Sequence, residues 1–140
     1  SRGLGDVYKR QAIGGIVIGY EIGRLLKIET IFAERVKGKF KLRRGFNIKR
    51  NSKVLIIEDV ITTGGSSLEC SELVKKSKAK LLGFASLINR SEKKNLKIKS
   101  KPIISQLKIK VPVFKKKNIP YTLKQIPITT PGSRFLKWLD

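Results

Sequence analysis

The residues best suited to chemistry lie in one short segment, VLIIEDVITTGGSS, from Val54 to Ser67. An apolar run leads to two carboxylates, Glu58 and Asp59, and then to a stretch of threonine, glycine and serine, Thr62–Ser66. Glycines let backbone N–H groups approach an anion without a Cβ in the way. Hydroxyl groups and a helix N-terminus add further donors. The stretch from Thr62 to Ser66 is therefore shaped to hold a phosphate group.

The acidic pair before this stretch has a different chemistry. Glu58 and Asp59 cannot bind phosphate, but they can bind sugar hydroxyls or a hydrated Mg²⁺. Phosphate beside a diol outlines a ribose 5-phosphate site at the carboxyl end of a strand, where open α/β sheets bind ligands. The alternative is a solvated strand end followed by a capping turn. The occurrence of all these features in one string favours the binding site.

Strand and helix patterns around this segment predict an α/β unit. SKVLIIEDV is the strongest strand, and its continuous apolar run from Val54 to Ile57 is typical of a strand covered on both faces. LECSELVKKSKAK predicts a helix with Leu68, Leu73 and Val74 inward, and LLGFASLINR predicts a second buried strand. The order strand, helix, strand implies parallel pairing through a right-handed crossover.

The rest of the chain gives weaker signals and no sign of a boundary between domains. Apolar residues at helical spacing predict a loop leading into a helix over Ile13–Leu26. Upstream of the central segment, we predict a strand in ETIFAERV and a hairpin strand or mobile loop in GKFKLRRGFNI. Downstream, we predict a basic loop in SEKKNLKIKSK and one or two short strands in PIISQLKIKVPVF. The tail from Lys115 is expected to be mostly irregular.

Composition excludes several classes of function. The 140 residues suit one domain with a single core, and the net charge is +22. That charge calls for a polyanionic partner, a phosphate-rich ligand or a genome that favours lysine codons. A single Cys excludes an internal disulfide framework. Because the chain also has no His, it can form no zinc site and no His-based catalytic triad. No membrane or targeting segment is expected, because charges interrupt the longest apolar run.

Several motifs resemble one enzyme family. VLIIEDVITTGGSS resembles the phosphoribosyl pyrophosphate motif of the type I phosphoribosyltransferases. IFAERVKGKFKLRRGF and LINRS resemble segments of the orotate phosphoribosyltransferases, AIGGIVIGYEIGRLL their glycine-containing segment, and PGSRF their carboxyl-terminal signature. The resemblance implies an open parallel sheet flanked by helices. It also implies transfer of a ribosyl phosphate from phosphoribosyl pyrophosphate to orotate in de novo pyrimidine (UMP) biosynthesis, giving orotidine 5′-monophosphate and pyrophosphate.

The resemblance also assigns site residues. It places the acidic pair on the ribose hydroxyls, Thr62–Ser66 around the 5′-phosphate, and Thr62 and Arg90 on orotate. A guanidinium binds a carboxylate bidentately, which gives Arg90 an independent rationale beside the alternative of an ordinary exposed charge. The implied substrate-binding residues are Glu58, Asp59, Val60, Ile61, Thr62, Thr63, Gly64, Gly65, Ser66 and Arg90.

The resemblance assigns catalytic roles to Asp59 and to a basic segment that contains Arg35, Lys37 and Lys39. Arg43 and Arg44 lie nearby in the same segment. Mobile cations that close over a departing pyrophosphate stabilise its developing charge. The alternative is a solvated basic hairpin. Since the chain has no His, proton transfer through an imidazole is excluded. Residues 12–15 match a loop near the pyrophosphate, or else form a helix-start turn.

Cofactor, partners and location follow from the same resemblance. It implies Mg²⁺ as the cofactor and assigns no residue as a dedicated metal ligand. A cytoplasmic homodimer is expected, in which each basic segment reaches the neighbouring site. The other function class is a nucleic-acid-binding or regulatory protein on the same fold. The lysines are spread along the chain without interleaved aromatic residues, so nucleic acid is the less favoured partner.

Residues 1–11 depart from the family pattern. SRGLGDVYKRQ matches nothing in it and is interpreted as a foreign segment, and the sequence contains no Met. Residues 12–140 are then a phosphoribosyltransferase domain that lacks its amino-terminal hood elements and one strand. On this interpretation the chain alone binds phosphoribosyl pyrophosphate but converts little or no orotate.

Overall fold

The computed structural model of the chain describes residues 13–91, 98–112, 114 and 116–127. They divide between two compact units, one spanning Gln11–Lys110 and one that includes Val111–Asp140. In the first unit the elements are α1 (Ile13–Leu26), β1 (Ala33–Val36), β2 (Lys39–Leu42), β3 (Lys53–Ile61), α2 (Gly65–Lys76), β4 (Lys80–Asn89) and β5 (Ile103–Lys108). The expectations for residues 1–12 and for PGSRF lie outside the described residues.

A three-stranded parallel sheet in the order β3-β4-β5 forms the centre of the first unit. The apolar runs of β3 and β4 pair in parallel register, with Ile57 opposite Ala85 and Ile61 opposite Asn89. Helix α2 connects these two strands, and helix α1 packs on β3. The predicted α/β architecture, a parallel sheet flanked by helices, is confirmed.

The core lies between the sheet and helix α2. Phe84, Ile61 and Val74 are almost fully buried, with Ile56 and Ile98 beside them. The prediction that Leu68 faces inward is wrong, because 45% of its surface is exposed. The buried stripe of α2 is instead Ser67, Ser71 and Val74. These positions follow helical spacing, and two small serines let the helix approach the sheet closely.

Three strand predictions need correction. Leu55 is 39% exposed, so β3 is not covered along both faces as its continuous apolar run indicated. The same holds for β4, predicted as a second buried strand, where Leu82 and Leu87 are 44% and 46% exposed. The strand predicted in ETIFAERV begins only at Ala33. Before it, the Thr30 hydroxyl donates to the carbonyl of Gly19, and the ring of Phe32 packs edge-on against Phe46 with centroids 5.0 Å apart. These contacts hold residues 29–32 as a loop beside α1.

Strands β1 and β2 form a separate antiparallel hairpin, which we call the basic hairpin (residues 33–42). Its two turn residues, Lys37 and Gly38, both have positive φ, 47° and 82°. That combination is the type I′ geometry that matches the twist of a hairpin. The structure thus decides between the two expectations for GKFKLRRGFNI in favour of a hairpin strand.

The second unit contains little regular structure among its described residues. A 3₁₀ helix covers Lys116–Asn118, and one turn of helix, α3, covers Tyr121–Lys124 after Pro120. Within the described residues of the whole chain, no helix combines the length and the apolarity needed to cross a bilayer.

Candidate functional site

The turn between β3 and α2 forms the centre of the site. Strand β3 ends at Ile61, and α2 begins at Gly65 after the N-cap residue Gly64. Gly64 is buried and has a φ of 79°, a left-handed conformation that a residue with a Cβ adopts only at a cost. Because Gly64 has no side chain, no side-chain oxygen caps the first helical N–H groups. The first turn of α2 can therefore offer them to an anion.

The residues of this turn differ in exposure. Thr62, Thr63 and Gly65 are exposed and Ser66 is half-buried. Val60 is half-buried, whereas the side chain of Ile61 lies in the core with 1% of its surface exposed. In the predicted phosphate segment (Thr62–Ser66), the hydroxyls of Thr62 and Thr63 thus face outward and Ser66 is half-buried. Ile61 anchors the end of the strand before this segment.

Glu58 and Asp59 leave the end of β3 on opposite faces of the sheet, as successive strand residues do. Glu58 faces helix α2, where its carboxylate accepts a 2.6 Å hydrogen bond from the Ser67 hydroxyl. Asp59 faces helix α1: a Cβ added to Gly14 would lie 2.1 Å from its Oδ2 atom. The other oxygen of Asp59 accepts from the backbone N–H of Val60 at 2.8 Å. Helix α2 thus orients Glu58 through Ser67, whereas Asp59 lies against the start of α1 and is held by the backbone of its own strand.

The environment of Glu58 shifts its proton affinity. Burial raises the pKa of the Glu58 carboxyl, and the Ser67 hydrogen bond opposes that rise. The negative charge of Asp59 raises the pKa of Glu58 further, and the positive charge of Arg35 lowers it. Arg35 of the basic hairpin therefore lies within electrostatic reach of Glu58 in the same chain.

The glycine-containing segment meets the site at Asp59. Gly14 and Gly15 lie in the first turn of α1, so the described part of residues 12–15 is helical. A Cβ on Gly15 would come within 3.3 Å of the carbonyl oxygen of Ile57. The start of α1 therefore packs directly on the backbone of β3 beside the acidic pair.

Arg90 follows β4 next to the phosphate segment. Its backbone N–H donates to the carbonyl of Ile61 at 2.8 Å, and its side chain is exposed. The preceding Asn89 is buried, and its amide oxygen accepts from the N–H of Ser91 at 2.9 Å. Since Ile61 and Asn89 are paired in the sheet, the residues that follow them, Thr62 and Arg90, come together at one edge. These are the two residues that the resemblance assigns to orotate.

The predicted catalytic cations occupy different parts of the basic hairpin. Arg35 lies on β1, with its guanidinium 4.0 Å from the centre of the Phe40 ring and 2.9 Å from a carboxylate oxygen of Glu69. Lys37 and Lys39 are exposed at and beside the turn. Neither lysine takes part in the ion pairs found within the described ranges.

Arg43 and Arg44 are tied to a buried carboxylate. Glu34 is 3% exposed, and both guanidinium groups bind it, Arg43 at 3.5 Å and Arg44 more closely. A buried charge is costly unless it is paired. These two arginines therefore compensate Glu34 at the base of the hairpin.

A cavity of about 650 Å³ lies beside the acidic pair in the same unit. Its walls come from α1, the basic hairpin, β3 and α2, and most of them are apolar. Among the residues that the structure describes, no group of three or more His, Cys, Asp or Glu side chains is placed to hold a metal ion.

Two residues of this site were not predicted from the sequence. Ser67 orients Glu58, and Glu69 binds the basic hairpin. Both residues follow the phosphate segment closely and lie on the first turns of α2, and this position in the sequence could have marked them as neighbours of the site. The sequence does not reveal their partners, because these lie on other elements.

Known proteins are similar to this chain in sequence. Residues 14–125 match the family described as "Phosphoribosyl transferase domain". Orotate phosphoribosyltransferase of Thermoanaerobacter sp. (strain X514) is 42% identical over 92% of this chain and 67% of its own length. The enzyme of that name from Chlorobaculum parvum is 46% identical over 88% of this chain and 63% of its own length. This chain thus spans about two thirds of the length of these relatives.

Solved structures agree on the fold. A crystal structure of adenine phosphoribosyltransferase superimposes with a TM-score of 0.54 at 21% identity, covering 67% of this chain and 62% of the other. The adenine phosphoribosyltransferase of Thermoanaerobacter pseudethanolicus gives a TM-score of 0.53 at 16% identity, over 69% and 65%. All four of these proteins are named as phosphoribosyltransferases, and none of the four as a nucleic-acid-binding or regulatory protein.

Proposed function

The chain belongs to the phosphoribosyl transferase domain family, with orotate phosphoribosyltransferases as its sequence relatives, and we propose that it transfers ribosyl phosphate to orotate. In that reaction the bond between ribose C1 and pyrophosphate breaks, and a bond from C1 to a ring nitrogen of orotate forms. The observation that carries the proposal is the meeting of the segment Glu58–Ser66 with Arg90 at one end of the sheet.

The substrate contacts follow from the chemistry of each group. The first-turn N–H groups of α2 and the hydroxyls of Thr62, Thr63 and Ser66 suit a 5′-phosphate. The carboxylates of Glu58 and Asp59 suit the ribose hydroxyls. The exposed guanidinium of Arg90 suits the carboxylate of orotate.

The leaving pyrophosphate would meet the basic hairpin. Negative charge develops on it as its bond to C1 breaks, and cations held nearby stabilise that charge. Lys37 and Lys39 are exposed in and beside the hairpin turn, and Arg35, half-buried, is paired with Phe40 one step before that turn. We assign the three cations to this role.

Magnesium, assembly and location complete the proposal. One carboxylate of the acidic pair, Glu58 or Asp59, would hold a Mg²⁺ that arrives with the diphosphate, since the two side chains leave opposite faces of the sheet. This ion often binds a single carboxylate plus substrate phosphates, whose charge it would neutralise. A homodimer in the cytoplasm, serving UMP biosynthesis, is the proposed setting. The lone Cys70 suits a reducing compartment.

The test measures pyrophosphate and orotidine 5′-monophosphate formed from orotate, phosphoribosyl pyrophosphate and Mg²⁺. It compares the chain as it stands with a fusion that joins the amino-terminal segment of the Thermoanaerobacter relative to residue 12. We expect product with orotate and none with adenine, and more product from the fusion. Turnover of adenine but not orotate, or no product from either protein, would overturn the proposal.

A further inference from the structure

Helix α2 contacts the basic hairpin through Glu69, a side chain to which the proposed chemistry gives no role. One oxygen of its carboxylate accepts a hydrogen bond from the backbone N–H of Phe40 at 2.7 Å. The other oxygen lies 2.9 Å from a guanidinium nitrogen of Arg35. Arg35 is on β1 and Phe40 is on β2, and the two residues are paired across the hairpin. A single carboxylate thus binds both strands.

Arg35 is held on three sides. Its guanidinium lies over the ring of Phe40, donates to the carbonyl of Gly38 in the hairpin turn, and pairs with Glu69. An isolated exposed ion pair contributes little to stability. Here the pair is half-buried and is combined with a bond to a backbone N–H, so it constrains direction as well as distance.

The basic hairpin needs such an anchor. Two strands alone are marginally stable in water and require packing against another element. Helix α2 is the element that packs on β2. Glu69 lies four residues, about one helical turn, after Gly65. The hairpin is therefore fixed to the same rigid helix whose first turn borders the phosphate segment.

We infer that Glu69 is a positioning residue, which fixes the basic hairpin, with Lys37 and Lys39 near its turn, on helix α2. The inference rests on the proposed function only for the ligand: its 5′-phosphate is held at the first turn of α2, and its pyrophosphate is met by a basic hairpin, which in the proposed homodimer is that of the neighbouring chain. Glu69 itself touches hairpin residues rather than substrate. Its loss should weaken recognition of the pyrophosphate and leave recognition of the 5′-phosphate intact.

The first measurement follows hydrogen exchange of the Phe40 amide by NMR, with no ligand present. Glu69→Ala removes the acceptor, so the Phe40 amide should exchange at least about tenfold faster than in the unaltered chain. Glu69→Gln keeps an acceptor oxygen but loses the charge facing Arg35, so an intermediate rate is expected. The matched control is Glu72→Gln on the same helix, where Glu72 pairs with Lys99 instead. This change should leave Phe40 protected.

The second measurement compares two ligands that share the 5′-phosphate, each with Mg²⁺. Ribose 5-phosphate lacks the pyrophosphate, and phosphoribosyl pyrophosphate carries it. We expect Glu69→Gln to weaken binding of phosphoribosyl pyrophosphate about tenfold and to change binding of ribose 5-phosphate less than about twofold. A general loss of structure would weaken both ligands alike, and Glu72→Gln should affect neither.

Three results would overturn the inference. The Phe40 amide of Glu69→Ala could exchange no faster than in the unaltered chain. Glu69→Gln could weaken the two ligands equally, or Glu72→Gln could have the same effects. If neither ligand binds the unaltered chain, the proposed function fails, and the exchange rate of Phe40 alone still decides whether Glu69 anchors the hairpin.

Discussion

At the scale of single residues, the site depends on two neighbouring carboxylates with different surroundings. Asp59 lies against the start of α1 at Gly14, and Glu58 is half-buried against α2 at Ser67. Because they leave the strand on opposite faces, each can be altered separately. The two residues should therefore respond differently to substitution by the matching amide.

Asp59→Asn should lower the turnover number strongly and leave the fold in place. The amide keeps the size of the side chain and can still accept the Val60 N–H, but it loses the charge that we propose acts on ribose hydroxyls or Mg²⁺. Losing one such transition-state interaction costs roughly 2–4 kcal/mol. Kinetics of the orotate reaction in the fusion, with thermal unfolding of the same protein, check this. Turnover close to the unaltered value with an unchanged melting curve would contradict the assignment.

Glu58→Gln should stabilise the protein in a pH-dependent way. Burial raises the pKa of Glu58 above its ordinary value of 4.5, so the folded state holds the proton more tightly than the unfolded state. The charged form then costs stability above the folded pKa and nothing well below 4.5. The gain in melting temperature should be largest near pH 8 and shrink toward pH 4.

Glu72→Gln provides the contrast for this pH dependence. The hydrogen bond from Lys99 lowers the pKa of Glu72, so the charged carboxylate stabilises the folded state. Glu72→Gln should therefore cause a small loss of stability at neutral pH, opposite in sign to the gain expected for Glu58→Gln. A gain for Glu58→Gln that does not change with pH would show that the charge of Glu58 is not the cause.

At the scale of elements, the site is one strand, one turn and one helix. The turn depends on the left-handed Gly64, which starts α2 while remaining buried. The Leu68 N–H closes the first helical turn on the Gly64 carbonyl at 2.8 Å. The conformation of this one residue therefore decides where the first N–H groups of α2 point.

Gly64→Ala should lower the free energy of unfolding by about 1–2 kcal/mol, since a Cβ is strained at a φ of 79°. The neighbouring Gly65→Ala is the matched control. It lies within α2, and its new Cβ would make only an ordinary 3.6 Å contact with the Thr63 hydroxyl. Urea unfolding should show Gly65→Ala to be neutral or stabilising. Equal losses for both variants would contradict the importance of the left-handed turn.

The sequence predicts this unit well because its signals are local. The apolar run of β3, the glycines of the turn and the spacing of α2 lie within one stretch of chain, so their order indicates the parallel sheet. Contacts between distant segments were not predictable. The Phe40 amide and Glu69 are 29 residues apart, and nothing in either segment identifies the other as its partner. Leu68 was misplaced because the buried stripe of α2 consists mainly of serine.

At the scale of the whole molecule, charge is the dominant feature. The net charge of +22 is carried by lysines and arginines along the full sequence. A positive field of this kind attracts a polyanion from a distance and is screened by salt. The ligand proposed for the site is itself a polyanion, so its binding should depend on ionic strength.

Binding of phosphoribosyl pyrophosphate should weaken severalfold as ionic strength rises from about 0.05 to 0.5 M. Most of the change should appear in the association rate, because long-range attraction acts before contact. Stopped-flow binding at several salt concentrations measures this, with sucrose at matched osmolality as the control for non-ionic effects. An association rate that stays constant across the series would contradict the prediction.

The proposed function depends above all on Thr62–Ser66 and Arg90 forming one site for a ribosyl phosphate. The most direct test is an NMR titration of the isotope-labelled chain with phosphoribosyl pyrophosphate and Mg²⁺, which resolves the backbone amides individually. We predict that the largest shifts fall on the amides of Thr62–Ser66 and on Arg90, and that Gly64→Ala reduces them. Shifts confined to the lysine-rich residues 75–80, with none at Thr62–Ser66, would contradict this assignment of the site.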